Sequence, residues 1–236
     1  PLEWLSLTGQ AALEVTAGAV FEDTADELTS LRDALAWYPD DVWRYVVACD
    51  WQRIDQELPL VGRAADRGDE MGSRVIAARL VGIAMHLGFL LCRRWAPYSK
   101  WLGTMFRDLP LPRALGHALN DVLEADDWHR RSDRLVAALR QLATIQRASG
   151  LPCADPVCVP FWDRPYLQIN QHVIPRLLDA ICDPAVLALP VGLGSIEQRT
   201  DNVDLLVHAD LRRTAVLGGR TAATSARDTP RRPVAG

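Results

Sequence analysis

The sequence predicts an all-α fold, an irregular helical bundle of five to eight helices, on three observations. Apolar residues return every three or four positions through long windows, and the two-residue alternation of strands is almost absent. The 236 residues, 49% hydrophobic and 24% charged, are enough for a true core and lie in the ordinary globular range. The helical domain is expected over 1–215 and a disordered C-terminal tail over 216–236. From Gly218 onward the chain is mostly Ala, Thr, Arg, Pro and Gly, with no apolar period and little to bury.

In chain order, a first helix is expected at 25–36, and the strongest signal then runs from Pro39 to about Arg67. Pro39 suits a first helical position, Asp40 and Asp41 favour the positive end of the helix dipole, and Val42, Tyr45, Val46 and Cys49 form a buried stripe. Pro59 lacks an amide hydrogen and disfavours helix in the residue before it, so a kink or short break is expected there, with Gly62 nearby. A second long helix is expected over 69–95. Its apolar face reads through Met71, Val75, Ala78, Val81, Met85, Phe89 and Cys92, with Arg93 and Arg94 at the negative end. Further helices are expected at 112–125, 127–149, 172–182 and 209–215. Only the segment around Tyr166 to Ile169 reads as extended, and the Pro-containing stretch Leu151 to Pro165 reads as an irregular connection.

Composition excludes some functions. A formal net charge of −4 supplies no whole-molecule positive field, so nonspecific nucleic-acid binding and attachment to an anionic membrane are not expected. The most apolar stretch, Leu80 to Cys92, is shorter than the roughly 20 residues a membrane helix needs and reads as a core helix. Five cysteines, an odd number in a chain too large to need disulfide staples, point to a reducing, cytoplasmic setting. The chain opens at Pro1 with no signal-type segment and reads as a piece of something longer.

The first candidate for chemistry is the turn containing Tyr98, Ser99 and Lys100. Of 26 basic residues only Lys100 is lysine. A compact ammonium with two neighbouring hydroxyls suits a phosphate; the alternative is a lysine stem packed on Trp101 with its head in solvent. The second is Asp69 with Glu70, read either as a base for a substrate hydroxyl or amine, or as part of a surface charge ladder with Arg74. Arg79 and His86, seven residues apart, share a helix face and are similar in spacing to the ribonuclease motif of HEPN helical-bundle toxins. In so arginine-rich a chain, random placement alone produces such a pair. Gly194, Ser195, Asp201 and Asp204 superficially resemble the glycine, serine and paired-acid pattern of nucleotidyltransferases. Asp201 and Asp204 are three apart, however, and a strand would point them to opposite faces. Cys153, Cys158, His172 and Cys182 lack the close pairing of a metal site.

The strings WYPDDVWRY (37–45), WQRIDQE (51–57), VGRAADRGDEMGSR (61–74), AARL (77–80) and PYSKWLGTMF (97–106), with FWDRPY (161–166) and SIEQRTDNVDLL (195–206), resemble the domain of unknown function 4037 family. Its members are similar to nucleotidyltransferases of the polymerase beta superfamily, with a catalytic domain followed by a helical half. The resemblance implies that this chain is the C-terminal helical half alone, with a missing N-terminal nucleotidyltransferase domain as its partner. It implies Mg²⁺ and a nucleoside triphosphate as the cofactors of the full-length protein, with Tyr98, Ser99, Lys100 and Arg79 on the nucleotide side. Asp69 and Glu70 would serve the acceptor, and the isolated chain would be inactive because the metal-binding acidic pair is absent. The alternative is a noncatalytic helical interaction module, pairing as a homodimer through an apolar patch around Leu2, Trp4, Leu5 and Leu7; a third is a HEPN-like ribonuclease using Arg79 and His86.

Overall fold

In the computed structural model, which describes residues 1–227, a helix that buries ten of its 18 residues forms an axis on which several of the other elements pack. The chain opens with α1 (Leu2–Ser6), α2 (Gly9–Thr16) and α3 (Glu27–Ala34), then forms the axial helix α4 (Asp40–Glu57), α5 (Leu60–Ala65) and the long α6 (Glu70–Leu91). A 3-10 turn, Ser99–Trp101, leads into α7 (Leu102–Arg107), α8 (Arg113–Glu124) and α9 (Trp128–Ala148). A small antiparallel hairpin, β1 (Cys158–Pro160) with β2 (Leu167–Ile169), pairs Val159 with Gln168. Then follow α10 (Val173–Asp179), α11 (Pro184–Leu187), α12 (Ile196–Arg199), α13 (Val203–Val207) and α14 (Ala209–Arg227). The fold is all-α, as expected. Seven helices (α2, α3, α4, α6, α8, α9 and α14) have eight residues or more, and the remainder are pieces of one or two turns.

The stripe expected on α4 is buried, and Trp43, Ala48, Asp50, Trp51 and Ile54 are buried with it, so the helix touches protein on nearly every side. It packs on α6, α10, α5, α11 and the hairpin. Its large aromatics keep their polar edges satisfied. Trp43 Nε1 donates to Leu90 O at 2.8 Å, and Trp51 Nε1 donates to the buried Gln146 Oε1 at 2.6 Å. The break at Pro59 is real and separates α4 from α5; Gly62 lies inside α5, where a Cβ would meet Trp128 and Tyr166 at 2.7 Å.

Helix α6 corrects two expectations. It ends at Leu91, short of residue 95, and Arg93 turns back in the left-handed region (φ 50°) to lie over the Trp43 ring and pair with Asp40. Its buried face runs through Ser73, Ala77, Leu80, Ala84, Leu87 and Leu91, leaving Met71 and Val75 exposed. The helix is so apolar all round that periodicity alone does not choose its inner side. Its 22 residues and mean hydropathy of 1.6 in the most apolar window would suit a membrane crossing, yet it packs among α4, α5, α8 and α9, with over half of that window buried.

Elsewhere, the helices expected at 25–36, 112–125, 127–149 and 172–182 are present as α3, α8, α9 and α10. β1 falls in the stretch read as an irregular connection. The helix expected at 209–215 continues to Arg227, so the boundary drawn at residue 216 falls inside α14; the rest of the expected tail, 228–236, lies outside the described residues. The apolar N-terminal side chains form no exposed patch: Leu5 is fully buried, and Leu2, Trp4 and Leu7 pack on the core, with Trp4 stacked on Trp95.

The pairing of Trp51 with Gln146 joins α4 to α9 through two buried polar groups. Trp51→Phe removes the donor and strands the Gln146 carbonyl in the core, so urea denaturation should show a loss of about 1–3 kcal/mol.

Candidate functional site

A cleft of about 890 Å³ opens between α2, α4, α6, the 96–99 turn and the α12–α14 segment. Close backbone contact brings these elements together. Gly9, at the start of α2, lies so near Ala96 that a Cβ would fall 2.2 Å from its carbonyl oxygen. Gly194 takes a left-handed conformation (φ 67°) ahead of α12, where a Cβ would meet Gln198 Oε1 at 2.1 Å.

The base of the cleft is a polar network around Asp50, whose side chain is wholly buried. His86 Nδ1 lies 2.6 Å from Asp50 Oδ2. Arg53 donates to Asp50 Oδ1 at 3.0 Å, and Gln198 Nε2 donates to the same oxygen at 2.8 Å and to Val46 O at 2.8 Å. Beside them, Glu197 Oε2 accepts the Gly9 amide at 2.9 Å. His86, Arg53, Glu197 and Gln198 line the cleft, with His86 17% exposed.

The charges on these groups are coupled. Burial works against the Asp50 carboxylate, but the charge and hydrogen bond of His86, with Arg53 and Gln198, outweigh it and hold the pKa below the usual carboxylate range. Burial likewise disfavours the His86 imidazolium, and the charge and hydrogen bond of Asp50, helped by Glu197, overcome it and raise the pKa above the ordinary imidazole value. Burial pushes the Glu197 carboxyl upward, against the His86 charge and the Gly9 amide.

The residues expected from the sequence separate into two groups. Arg79, Tyr98 and Ser99 line the cleft. Arg79 is paired with Glu57, its Nη2 lying 2.6 Å from Oε2. Lys100 is exposed one residue beyond the lining, with its ammonium 5.1 Å from the Trp101 ring centroid and no carboxylate partner among the described residues. Asp69 and Glu70 lie outside the cleft, at the far end of α6. Asp69 is the N-cap, accepting the Gly72 amide at 2.7 Å, and Glu70 pairs with Arg74 and with the buried Arg131, which also donates to Ser73 Oγ and Ala125 O. From residue 70 to His86 the helix rises about 24 Å, so these acids and the base of the cleft do not meet. Asp50, Glu197 and Gln198 carry no local motif; the one signal for Asp50 is an acid set in an otherwise buried helical stripe.

The nucleotidyltransferase-like pattern near the C-terminus is no strand. Ser195 precedes α12, Asp201 lies in the following loop, and Asp204 is in the first turn of α13. Burial raises the Cys153 thiol and pushes that of Cys158 up to about 12. Among the described residues no three His, Cys, Asp or Glu side chains converge as metal ligands. Of the carboxylates at the cleft, Asp50 is taken by His86, Arg53 and Gln198, and Glu57 by Arg79, while Glu14, Glu197 and Asp201 form no converging ligand group with them.

Residues 4–102 match the model of a family described as Domain of unknown function (DUF4037). That segment, less than half of the chain, is similar to the DUF4037 family. No curated protein and no solved structure matches it. The DUF4037 segment carries Asp50, Arg79, His86 and the Tyr98–Lys100 turn, whereas Glu197 and Gln198 come from outside it.

The Asp50–His86 pair links stability to pH with a definite sign. His86, raised on folding, stabilises fully below the unfolded imidazole pKa of about 6.5 and loses that contribution as pH rises through its folded value. Asp50, depressed on folding, stabilises above about pH 3.9 and loses its contribution as pH falls through its folded value. Denaturation of wild type and His86→Gln from about pH 6 to 9 should show the wild-type advantage shrinking as pH rises.

Proposed function

We propose that this chain is the helical nucleotide- and substrate-binding half of a nucleotidyltransferase-like protein, inactive alone and completed by a nucleotidyltransferase domain that supplies the metal-binding acids. The observation that carries this reading is the cleft itself. One concavity gathers Arg79, Tyr98 and Ser99, with the exposed Lys100 next in sequence to the lining. The DUF4037 match spans all four. Lys100 and the two hydroxyls are suited to the leaving phosphates, as a point charge with two hydrogen-bonding neighbours. The deeper end, with His86 and Glu197, is left for the second substrate. In this reading the helical half contributes positioning and charge complementarity, and the metal-binding acids come from the nucleotidyltransferase domain.

The ribonuclease reading gains one observation, because Arg79 and His86 line the same cleft and do not face the core. The Glu57 carboxylate paired with Arg79 and the Asp50 carboxylate paired with His86 weigh against it, and in the nucleotide reading the phosphate contacts fall instead to Lys100 and the hydroxyls of Tyr98 and Ser99. The interaction-module reading has lost the N-terminal patch on which it rested.

Calorimetric titration with ATP, with and without Mg²⁺, should show saturable binding that Lys100→Ala weakens by roughly tenfold or more. Glu70→Gln should leave it unchanged, and equal affinity of wild type and Lys100→Ala would sink the assignment of Lys100.

Gly82 offers a second check that spares the core. It lies on the cleft wall, and a Cβ there meets nothing within 4 Å. Gly82→Leu should fill the cleft and abolish nucleotide binding while leaving the urea midpoint the same or higher, because glycine weakens a helix interior by about 0.5–1 kcal/mol relative to alanine.

A further inference from the structure

We propose that His86, oriented by Asp50, is the group that takes the proton from a hydroxyl-bearing second substrate bound at the inner end of the cleft. The inference rests on the nucleotidyltransferase-like reading above and adds the class of acceptor and the residue that activates it.

A proton acceptor here needs a free lone pair facing the cavity, and the other charged groups nearest the base of the cleft are already engaged, with Glu14 and Asp201 elsewhere on its lining. Asp50 is wholly buried, and its two oxygens already receive His86, Arg53 and Gln198. Arginine 79 stays protonated at any working pH. Glu57 is held by Arg79, and Glu197 is bound to the Gly9 amide and faces the His86 charge. His86 differs: only Nδ1 is engaged, Nε2 has no hydrogen-bond partner among the described residues, and the ring is partly exposed on the cleft wall.

The ionised carboxylate of Asp50 has only acceptor capacity, so Nδ1 must carry the hydrogen between them. The neutral ring therefore keeps its lone pair on Nε2, the nitrogen left toward the cleft. Asp50 also strengthens that base and stabilises the imidazolium formed when it accepts a proton. The charged groups facing the ring are Asp50 and Arg53 from α4 and Glu197 from α12, with neutral Gln198 beside them and Arg79 two turns back on α6.

In the step proposed, a substrate hydroxyl oxygen forms a bond to the α-phosphorus of a nucleoside triphosphate, and its proton passes to His86 Nε2. The bond from that phosphorus to the bridging oxygen breaks, and pyrophosphate leaves with the electron pair. Asp50 is a positioning residue and keeps its charge throughout.

Long-range ¹H–¹⁵N spectra of the whole chain across pH read the tautomer directly. Neutral His86 is expected to carry its hydrogen on Nδ1 and to titrate above the ordinary imidazole value, with Asp50→Asn lowering that titration. Diethyl pyrocarbonate at mildly alkaline pH should modify His86 on Nε2, located by mass spectrometry. A hydrogen on Nε2, or a His86 that stays unmodified in the folded chain, overturns the proposal, because a purely structural imidazole would have that nitrogen blocked. ATP titration of His86→Gln separates the two readings. Unchanged affinity fits an acceptor-side role, whereas a tenfold loss makes His86 a nucleotide contact and overturns the inference alone. Failure of wild type to bind ATP at all overturns the nucleotide reading together with the step built on it.

Discussion

A carboxylate with no access to water constrains three distant parts of this molecule at once. Asp50 lies inside the axial helix, and leaving it ionised without partners would cost several kcal/mol, so its compensating groups must stay where they are. They come from its own helix, from the middle of α6 and from α12, and each carries further constraints. Gln198 also holds Val46 O and the Ser195 amide, which locks the turn at Gly194. Its neighbour Glu197 binds the Gly9 amide, and Gly9 is pressed against Ala96, at the start of the turn that carries Tyr98 and Ser99. The cleft walls are thus tied to one another through the buried charge.

Stability alone is a weak reason for such an arrangement. Replacing a buried ion pair with apolar residues of similar volume is often neutral or favourable, while removing one partner costs about 3–5 kcal/mol. The partner of Asp50 is a histidine with one nitrogen toward a cavity, not an arginine sealed in the core. Arg131 provides the comparison within the same protein. It is 1% exposed, donates to Ser73, Glu70 and Ala125, lines no part of the cleft, and serves only to join α9 to α6.

Much of the fold was legible in residues that act locally. The α4 stripe, the break at Pro59 and the windows that became α8 and α9 depend on spacing and backbone chemistry within one segment. The inner face of α6 was not legible, because Met71 and Val75 look as apolar as Leu80 and Leu87 until α4 and α9 choose a side. The site divides in the same way. Tyr98, Ser99 and Arg79 stood out by composition or motif and reach the cleft. Asp69 and Glu70 stood out by charge and turned out to be a helix cap and the partner of Arg131. Asp50 and Gln198, 148 residues apart, meet only through tertiary packing, which no local pattern encodes.

The glycines of α6 sharpen the distinction between what the fold needs and what a cavity needs. Gly88 has a packing reason, since a Cβ would meet Phe106 at 2.8 Å, and Gly72 has the side chain of its capping Asp69 at 2.2 Å. Gly82 has neither: the space beside it is empty, and the helix would gain from almost any other residue there. It lies between Arg79 and His86 on the cleft wall, on the same rigid rod that presents both side chains. Arg79, Ile83 and His86 send side chains to the same wall, and the glycine keeps open the space between them. In the reading proposed above, that open space is where a bound group would lie, and no packing contact accounts for the glycine.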